Sequence, residues 1–191
     1  TPYMKRKILS QSKIFTGILP QKGLNFDTQT VTYEVMKQHL DGKFADRYYT
    51  NLPMSKYCEY LMYYLTGEWY FQKMTKEKSY VGGHYGGSIA MKKQYGYVQL
   101  PTYSLPLRDH TNINLAECPD QVMVLALNVQ DASAEIAFEY EDHKRKNRCI
   151  SQQITCDSYW FFPADVKFQI TRNNSDHINH YIICTYDEIY D

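Results

Sequence analysis

Histidine is the residue type in this sequence best suited to binding a metal ion, because imidazole is a good ligand for zinc, copper and iron. A histidine site would have to combine His110 with His84, His177 or His180. His177 and His180 are three positions apart, in a predicted turn and the start of a strand, so their side chains need not converge. A single histidine in a β protein is more often a surface or hydrogen-bonded residue. We therefore expect no metal site.

The cysteines do not indicate a disulfide framework or a zinc site, because their number is odd and no pair has CxxC spacing. We interpret them as free thiols in a reducing compartment, several of them buried. No local signature places a Ser-His-Asp or Cys-His pair, so no catalytic nucleophile is predicted. The five cysteines are Cys58, Cys118, Cys149, Cys156 and Cys184.

Charge is balanced, with 21 basic and 21 acidic residues, which argues against a dedicated nucleic-acid or membrane-surface binder. The basic run at 143–148 (HKRKNR) is best explained as a solvated hairpin tip, and contact with phosphate or an acidic partner is the alternative. No apolar run is long enough to span a bilayer, and Thr1 to Lys13 contain no signal-peptide core. Nineteen tyrosines suit either a half-buried sheet or a surface for protein partners.

The first half of the chain contains turn and helix signals. Residues 1–28 carry scattered breakers and are predicted to be irregular, docking on a partner or on the outside of the main domain. Residues 29–40 predict a short helix, or a strand leading into one, that ends at Asp41-Gly42. Residues 53–65 predict a helix with an apolar face. The glycine-dense stretch at 80–88 predicts a turn, with close approach of a ligand to the backbone as the alternative.

The second half of the chain reads as a succession of short strands separated by Pro, Asn, Asp and Lys/Arg clusters. Helices followed by many strands indicate a mainly β (α+β) fold, a sandwich or small barrel with helices against one face. The predicted strands are 95–100, 102–108, 121–129, 134–141, 150–156, 158–162, 166–172 and 179–186. The predicted core consists of Val124, Leu125, Leu127, Ile136, Phe138, Trp160, Phe162, Ile170 and Ile182.

Residues 50–188 resemble the double-stranded β-helix, a jelly-roll barrel, of iron(II)/2-oxoglutarate-dependent oxygenases. The resemblance rests on the order of several patterns, none of which matches the family intact. These patterns are LPMSKYCEYLMYYL as the early helix, GYVQLPTYSLPLRDH before the His-x-Asp motif, QVMVLALNV as the next strand, DASAEIAFEY at a Gly-Gly-Glu turn, CDSYWFFPADVKF before the distal histidine, and HYIICTYDE as the last strand. The resemblance implies N-terminal helices in front of a barrel.

The family binds Fe(II) with two histidines and one carboxylate, and an arginine holds the far carboxylate of 2-oxoglutarate. Aligned on PLRDH, the first two metal positions fall on Arg108 and His110. Aligned on the local His-x-polar triplet, they fall on His110 and Asn112. The resemblance therefore implies a degenerate first half of the metal site.

The remaining family positions are also changed. The distal histidine falls on Lys167 or Phe168, and the co-substrate arginine falls on His180. Arg108 and Lys167, if they met at the metal position, would repel a cation and instead bind an anion. We expect Arg108, His110, Lys167 and His180 to form a ligand-binding mouth with no catalytic residue, no metal and no cofactor.

Taken with the resemblance, these residues predict an irregular segment at 1–28 and a single barrel domain at 29–191 with a helical buttress. The favoured function is a non-catalytic structural or interaction protein with protein partners, cytoplasmic or in a viral or phage particle. The alternatives are an Fe(II)/2-oxoglutarate-dependent oxygenase with an atypical ligand set and a cupin-like anion binder.

Overall fold

A computed structural model of the chain describes residues 6–8, 14–19, 28–42, 49–51, 87–109 and 118–190. In these residues the chain forms one helix and two antiparallel sheets. The helix is α1 (Thr28–Leu40). The strands are β1 (Arg6–Ile8), β2 (Phe15–Ile18), β3 (Tyr49–Asn51), β4 (Gly87–Gln99), β5 (Leu105–Arg108), β6 (Gln121–Asn128), β7 (Glu135–Glu141), β8 (Asn147–Gln153), β9 (Ser158–Pro163), β10 (Lys167–Ile170) and β11 (Asn179–Tyr190).

The strands from β4 to β11 wind between the two sheets. The large sheet has the order β1-β2-β9-β6-β11-β4-β3, and the small sheet has the order β5-β10-β7-β8. Only β7 and β8 are consecutive partners in this part of the chain, and every other step from β4 onwards crosses to the opposite sheet. This winding is that of a jelly roll, so the predicted double-stranded β-helix is confirmed.

The core of the barrel lies between the two sheets, where alternate side chains of facing strands meet. Its centre is aromatic, with Phe138, Trp160 and Phe162 at most 1% exposed. All nine residues of the predicted core are buried, none more than 3% exposed, so this prediction is confirmed.

A second apolar cluster covers the outer face of the large sheet. Helix α1 contributes Val31 and Val35, both fully buried and one turn apart, which explains why this segment is helical. Gly42 follows the helix with a φ of +68° and donates its N–H to the His39 carbonyl, the stop predicted for this helix.

The prediction that residues 1–28 are irregular was wrong for β1 and β2. Strand β2 pairs antiparallel with β9 and extends the large sheet, and Phe15 and Leu19 join the outer cluster. A segment of four residues is too short for its own residue pattern to predict a strand. The pairing comes instead from the edge of β9, which is a tertiary contact.

The basic run at 143–148 forms the exposed tip of the β7–β8 hairpin, as predicted. Asp142 organises this turn by accepting N–H groups of Lys144 and Lys146 and the Arg148 Nε–H, at 2.8 to 2.9 Å. These bonds, the one from Lys146 foremost, hold the pKa of Asp142 below its ordinary value. Hydrogen bonds within the turn therefore explain the conformation of this basic run.

Some predictions fall outside the described residues. These include the helix at 53–65 and most of the glycine-dense stretch, of which Gly87 and Ser88 begin β4. The structure therefore describes one of the predicted N-terminal helices. Within the described ranges, no helix combines the length and the apolar character needed to cross a bilayer.

Candidate functional site

The resemblance to the oxygenases places the candidate site at the mouth of the barrel, where β5 ends and β10 begins. Arg108 of β5 is paired with Phe168 of β10. Phe168 is fully buried, with its ring centroid 5.2 Å from that of Phe162, which in turn lies 5.0 Å from Phe138. One of the two positions that the alignment gave for the distal histidine, Phe168, is therefore occupied by a phenyl ring of the closed core.

Lys167 precedes Phe168 and is exposed, opposite Glu139 of β7. Lys167 and Arg108 line one surface depression of about 470 Å³, together with Asp109. Two cationic side chains and one carboxylate give this depression a net charge of one positive unit, counting only its described lining. The structure thus brings together two of the four predicted ligand-binding residues.

Lys167 also lines a larger cavity of about 860 Å³, bounded by the ends of β7 and β8 and by the β9–β10 turn. Tyr140 and Arg148 belong to its wall, as do the carboxylates of Glu139 and Asp165. This cavity has a mixed polar lining, whereas the smaller depression has two cations for one carboxylate. His110 and Asn112 lie outside the described residues.

His180 lies away from the depression, at the start of β11 on the side of helix α1. It is 4% exposed, and its electrostatic neighbours are His177 and His39, the latter on α1. An irregularity between His180 and Tyr181 in the pairing with β6 shifts the register by one residue. The extra residue lies in β6, and β11 keeps its regular alternation, so His180 is on the same outer face of the large sheet as Ile182.

Asn179 and Tyr181 are the polar β11 side chains at the start of the strand that point into the barrel. The Tyr181 hydroxyl donates to Oε1 of Gln99 at 2.8 Å, and Asn179 Nδ2 donates to Ser133 Oγ at 3.0 Å and to Gln99 Oε1 at 3.3 Å. Gln99 Nε2 donates to the carbonyls of Tyr103 and Thr171 at 2.9 and 2.7 Å.

This network was missed from the sequence. It occupies the end of the barrel where the resemblance places an arginine for the co-substrate. Burial raises the pKa of the Tyr181 phenol well above its ordinary value, so the hydroxyl stays protonated and donates. Alternation along β11 was the available signal, since Asn179, Tyr181 and Ile183 share one face.

Burial also lowers the pKa of His180 from 6.5 to about 4, with the charge of His177 as the next cause. Because the folded state disfavours the protonated ring, His180 supports stability fully above the ordinary pKa, and this contribution is lost as pH falls towards the folded pKa. The whole shift corresponds to about 3 kcal/mol, and partial solvent screening reduces the expected effect to about 2 kcal/mol.

We therefore expect the free energy of unfolding to fall by about 2 kcal/mol between about pH 7.5 and pH 4.5 through this residue. Urea denaturation across this range measures the change. His180→Leu should flatten the profile, whereas His143→Leu, at the exposed hairpin tip, should leave it unchanged. An equal slope in wild type and His180→Leu would contradict the assignment.

The described residues do not fit an iron triad. Arg108 and Phe168 cannot ligate a metal, and within the described ranges no group of three His, Cys, Asp or Glu side chains is placed to hold one. His180 faces α1 rather than a co-substrate in the barrel. The side chains at these positions therefore do not account for any catalytic step.

No protein-family model and no curated protein matches the sequence. Solved structures do match. The chain is similar to HygX from Streptomyces hygroscopicus with nickel and 2-oxoglutarate bound, with TM-score 0.50 and 10% identity over 90% of this chain and 81% of HygX. It is similar to EvdMO1, with TM-score 0.57 and 8% identity over 90% of this chain. A 2OG-Fe(II) oxygenase family protein from Burkholderia pseudomallei also matches, with TM-score 0.48 and 7% identity over 96% of this chain and 72% of that protein.

The chain spans about half the length of EvdMO1 and of the epimerase SnoN, 47% and 49% respectively. Our prediction from the sequence was that this chain has no cofactor, with Fe(II) and 2-oxoglutarate as the alternative. HygX carries nickel and 2-oxoglutarate, and this finding contradicts the prediction and favours the alternative. The comparisons give no support to a role in a viral particle. Strand order, winding and the similarity to HygX agree on one conclusion: the chain has the jelly-roll fold of 2-oxoglutarate/Fe(II) oxygenases.

Proposed function

We propose that the mouth of this oxygenase-type barrel binds a small carboxylate anion, with 2-oxoglutarate as the first compound to test. The observation that carries the proposal is the shared depression lined by Arg108 and Lys167. HygX, which has a similar fold, has 2-oxoglutarate bound, and this supports the choice of ligand.

The chemistry of the two side chains suits a carboxylate. A guanidinium can donate two parallel hydrogen bonds to one carboxylate, and a lysine ammonium adds a point charge that tolerates several geometries. Asp109 in the same depression would repel a second anion, so we expect one carboxylate ligand at a time.

Arg108→Gln should weaken 2-oxoglutarate binding by about 10- to 100-fold, because a hydrogen bond to a charged group contributes about 1.5–3 kcal/mol. Lys167→Gln should weaken it less, since an exposed charge contributes about 1 kcal/mol or less. Isothermal titration calorimetry in the presence of EDTA measures both constants without a metal.

Arg172→Gln is the matched control, because Arg172 is an exposed arginine in the β10–β11 connection. It should bind 2-oxoglutarate as tightly as the wild type. Equal affinity of wild type and the Arg108→Gln variant, or no binding of 2-oxoglutarate, succinate or citrate at all, would rule out the anion site.

A second candidate function is an Fe(II)/2-oxoglutarate-dependent oxygenase with an atypical ligand set. The similarity to HygX favours it. Ligands would then have to include residues outside the described ranges, with His110, two residues after the end of β5, as the first to test. Bound iron would supply oxygen activation.

Anaerobic Mn(II) titration followed by a 2-oxoglutarate turnover assay with Fe(II) separates the two functions. Stoichiometric metal binding that His110→Ala abolishes, together with turnover, would establish the oxygenase. The anion-binding function would be established if 2-oxoglutarate binds in the presence of EDTA, if Arg108→Gln weakens this binding, and if the protein does not turn over 2-oxoglutarate.

A further inference from the structure

A separate cavity of about 640 Å³ lies between helix α1 and the end of β6, where α1 packs on the outer face of the large sheet. Its volume falls within the range of about 300–1,000 Å³ typical of small-molecule sites. Eight described residues line it, and none of these eight is a lysine or arginine. The cavity is therefore unlike the depression at the barrel mouth in both place and charge.

One wall of the cavity is the face of α1 that carries Thr32, Tyr33 and Met36. Tyr33 is 65% exposed although its neighbours Val31 and Thr32 are buried. An aromatic ring exposed on the wall of a concave site presents a flat apolar surface with a negative π face. This wall favours a ligand with a flat apolar body or a cation.

The opposite wall carries the only ionisable carboxyl group among the described lining residues, that of Asp157. Its backbone has a φ of +67° and is held from both sides, since Asp157 N–H donates to the Ala126 carbonyl and Leu19 N–H donates to the Asp157 carbonyl, at 2.8 and 2.9 Å. Asp157 is thus fixed at the junction of β6, β9 and the N-terminal strand.

Two further observations support an attraction for positive charge. Burial raises the pKa of Asp157, and the charge of Asp131 raises it further. Asp131 lies close by, because its Oδ1 accepts the Cys156 N–H at 2.8 Å. A cation beside Asp157 would relieve the repulsion between these two carboxylates.

From this arrangement we propose that the cavity binds an organic ammonium ion with a flat apolar body, its charge against Asp157 and its body against Tyr33. The carboxylate supplies the charge contact, and the ring supplies apolar and cation–π contact. Neutral and anionic compounds of the same shape lack the first contact or are repelled by it.

Benzylamine, which is protonated at neutral pH, is a suitable probe, with benzyl alcohol and phenylacetate as its neutral and anionic counterparts. NMR titration should give saturable binding of benzylamine, with benzyl alcohol at least about fivefold weaker and phenylacetate weaker still. Equal binding of all three compounds, or no saturable binding of benzylamine, would overturn the proposal.

Three variants at two positions locate the contacts. Asp157→Asn should weaken benzylamine binding by about fivefold while leaving benzyl alcohol unchanged, and asparagine tolerates a positive φ, so the turn is kept. Tyr33→Phe should retain binding, whereas Tyr33→Leu should lose about threefold to fivefold, since leucine keeps apolar area but has no π face. Loss of binding equally in Tyr33→Phe and Tyr33→Leu would contradict the proposed contact.

Cys156 provides an independent readout, because it lines the same cavity. Benzylamine should slow alkylation of Cys156 by iodoacetamide and leave Cys149, which is exposed on the small sheet, unaffected. Unchanged alkylation of Cys156 at saturating benzylamine would contradict the site. Arg108→Gln should not change benzylamine binding, so failure here is distinguishable from failure of the anion site.

Discussion

Phe162→Ala is expected to lower the free energy of unfolding by about 4 kcal/mol, because it removes a large aromatic side chain from the centre of the core. Phe162 is fully buried between the sheets, and its ring packs against both Phe138 and Phe168. Removing it leaves a cavity lined by two phenyl rings that are themselves held by strand pairing. Urea denaturation followed by tryptophan fluorescence measures the change.

Tyr103→Ala is the matched control, because the Tyr103 side chain is 57% exposed. We expect a change within about 0.5 kcal/mol for this substitution. A loss below about 1 kcal/mol for Phe162→Ala would mean that the barrel interior is not closed by aromatic packing. It would also mean that Phe168 faces an open site rather than the core.

Gln99→Leu is expected to destabilise the protein by about 3 kcal/mol, although leucine has nearly the same size as glutamine. Gln99 is fully buried and links Tyr181 and Asn179 to the carbonyls of Tyr103 and Thr171. Leucine would remove the acceptor of the Tyr181 hydroxyl and the side-chain donor to the Thr171 carbonyl, and each unsatisfied buried group costs about 1–3 kcal/mol.

A double substitution tests this reason. Tyr181→Phe in the Gln99→Leu background should recover about 1 kcal/mol, because it removes a hydroxyl that has lost its acceptor. In the wild-type background Tyr181→Phe should instead destabilise. Gln153→Leu, at an exposed position of β8, serves as the control and should have little effect. Additive costs in the double variant would contradict a shared network.

The proposed anion site requires positively charged side chains, whereas the proposed ammonium site requires a negatively charged one. Arg108 and Lys167 are at the barrel mouth, whereas Asp157 and Tyr33 flank helix α1. The two sites share no lining residue among those described. Each can therefore be tested, and refuted, without affecting the other.

The sequence by itself determined the strands and the core of the barrel. The runs at 121–129 and 158–162 are apolar on both faces, and strands of this kind are buried wherever they pair in a sheet. Val124 and Trp160 were therefore identifiable as core residues without a structure. The order of these runs was sufficient to suggest the oxygenase barrel.

Only the tertiary structure decided which side chains form the sites. Alternation along β11 shows that Asn179 and Tyr181 share a face, but it does not show that they meet Gln99 of another strand in one hydrogen-bond network. Tyr33 and Asp157 lie 124 positions apart in the chain and share a cavity only because α1 packs on the large sheet. Periodicity reports which face of an element is buried, whereas a site depends on contacts between elements, and those are set by packing.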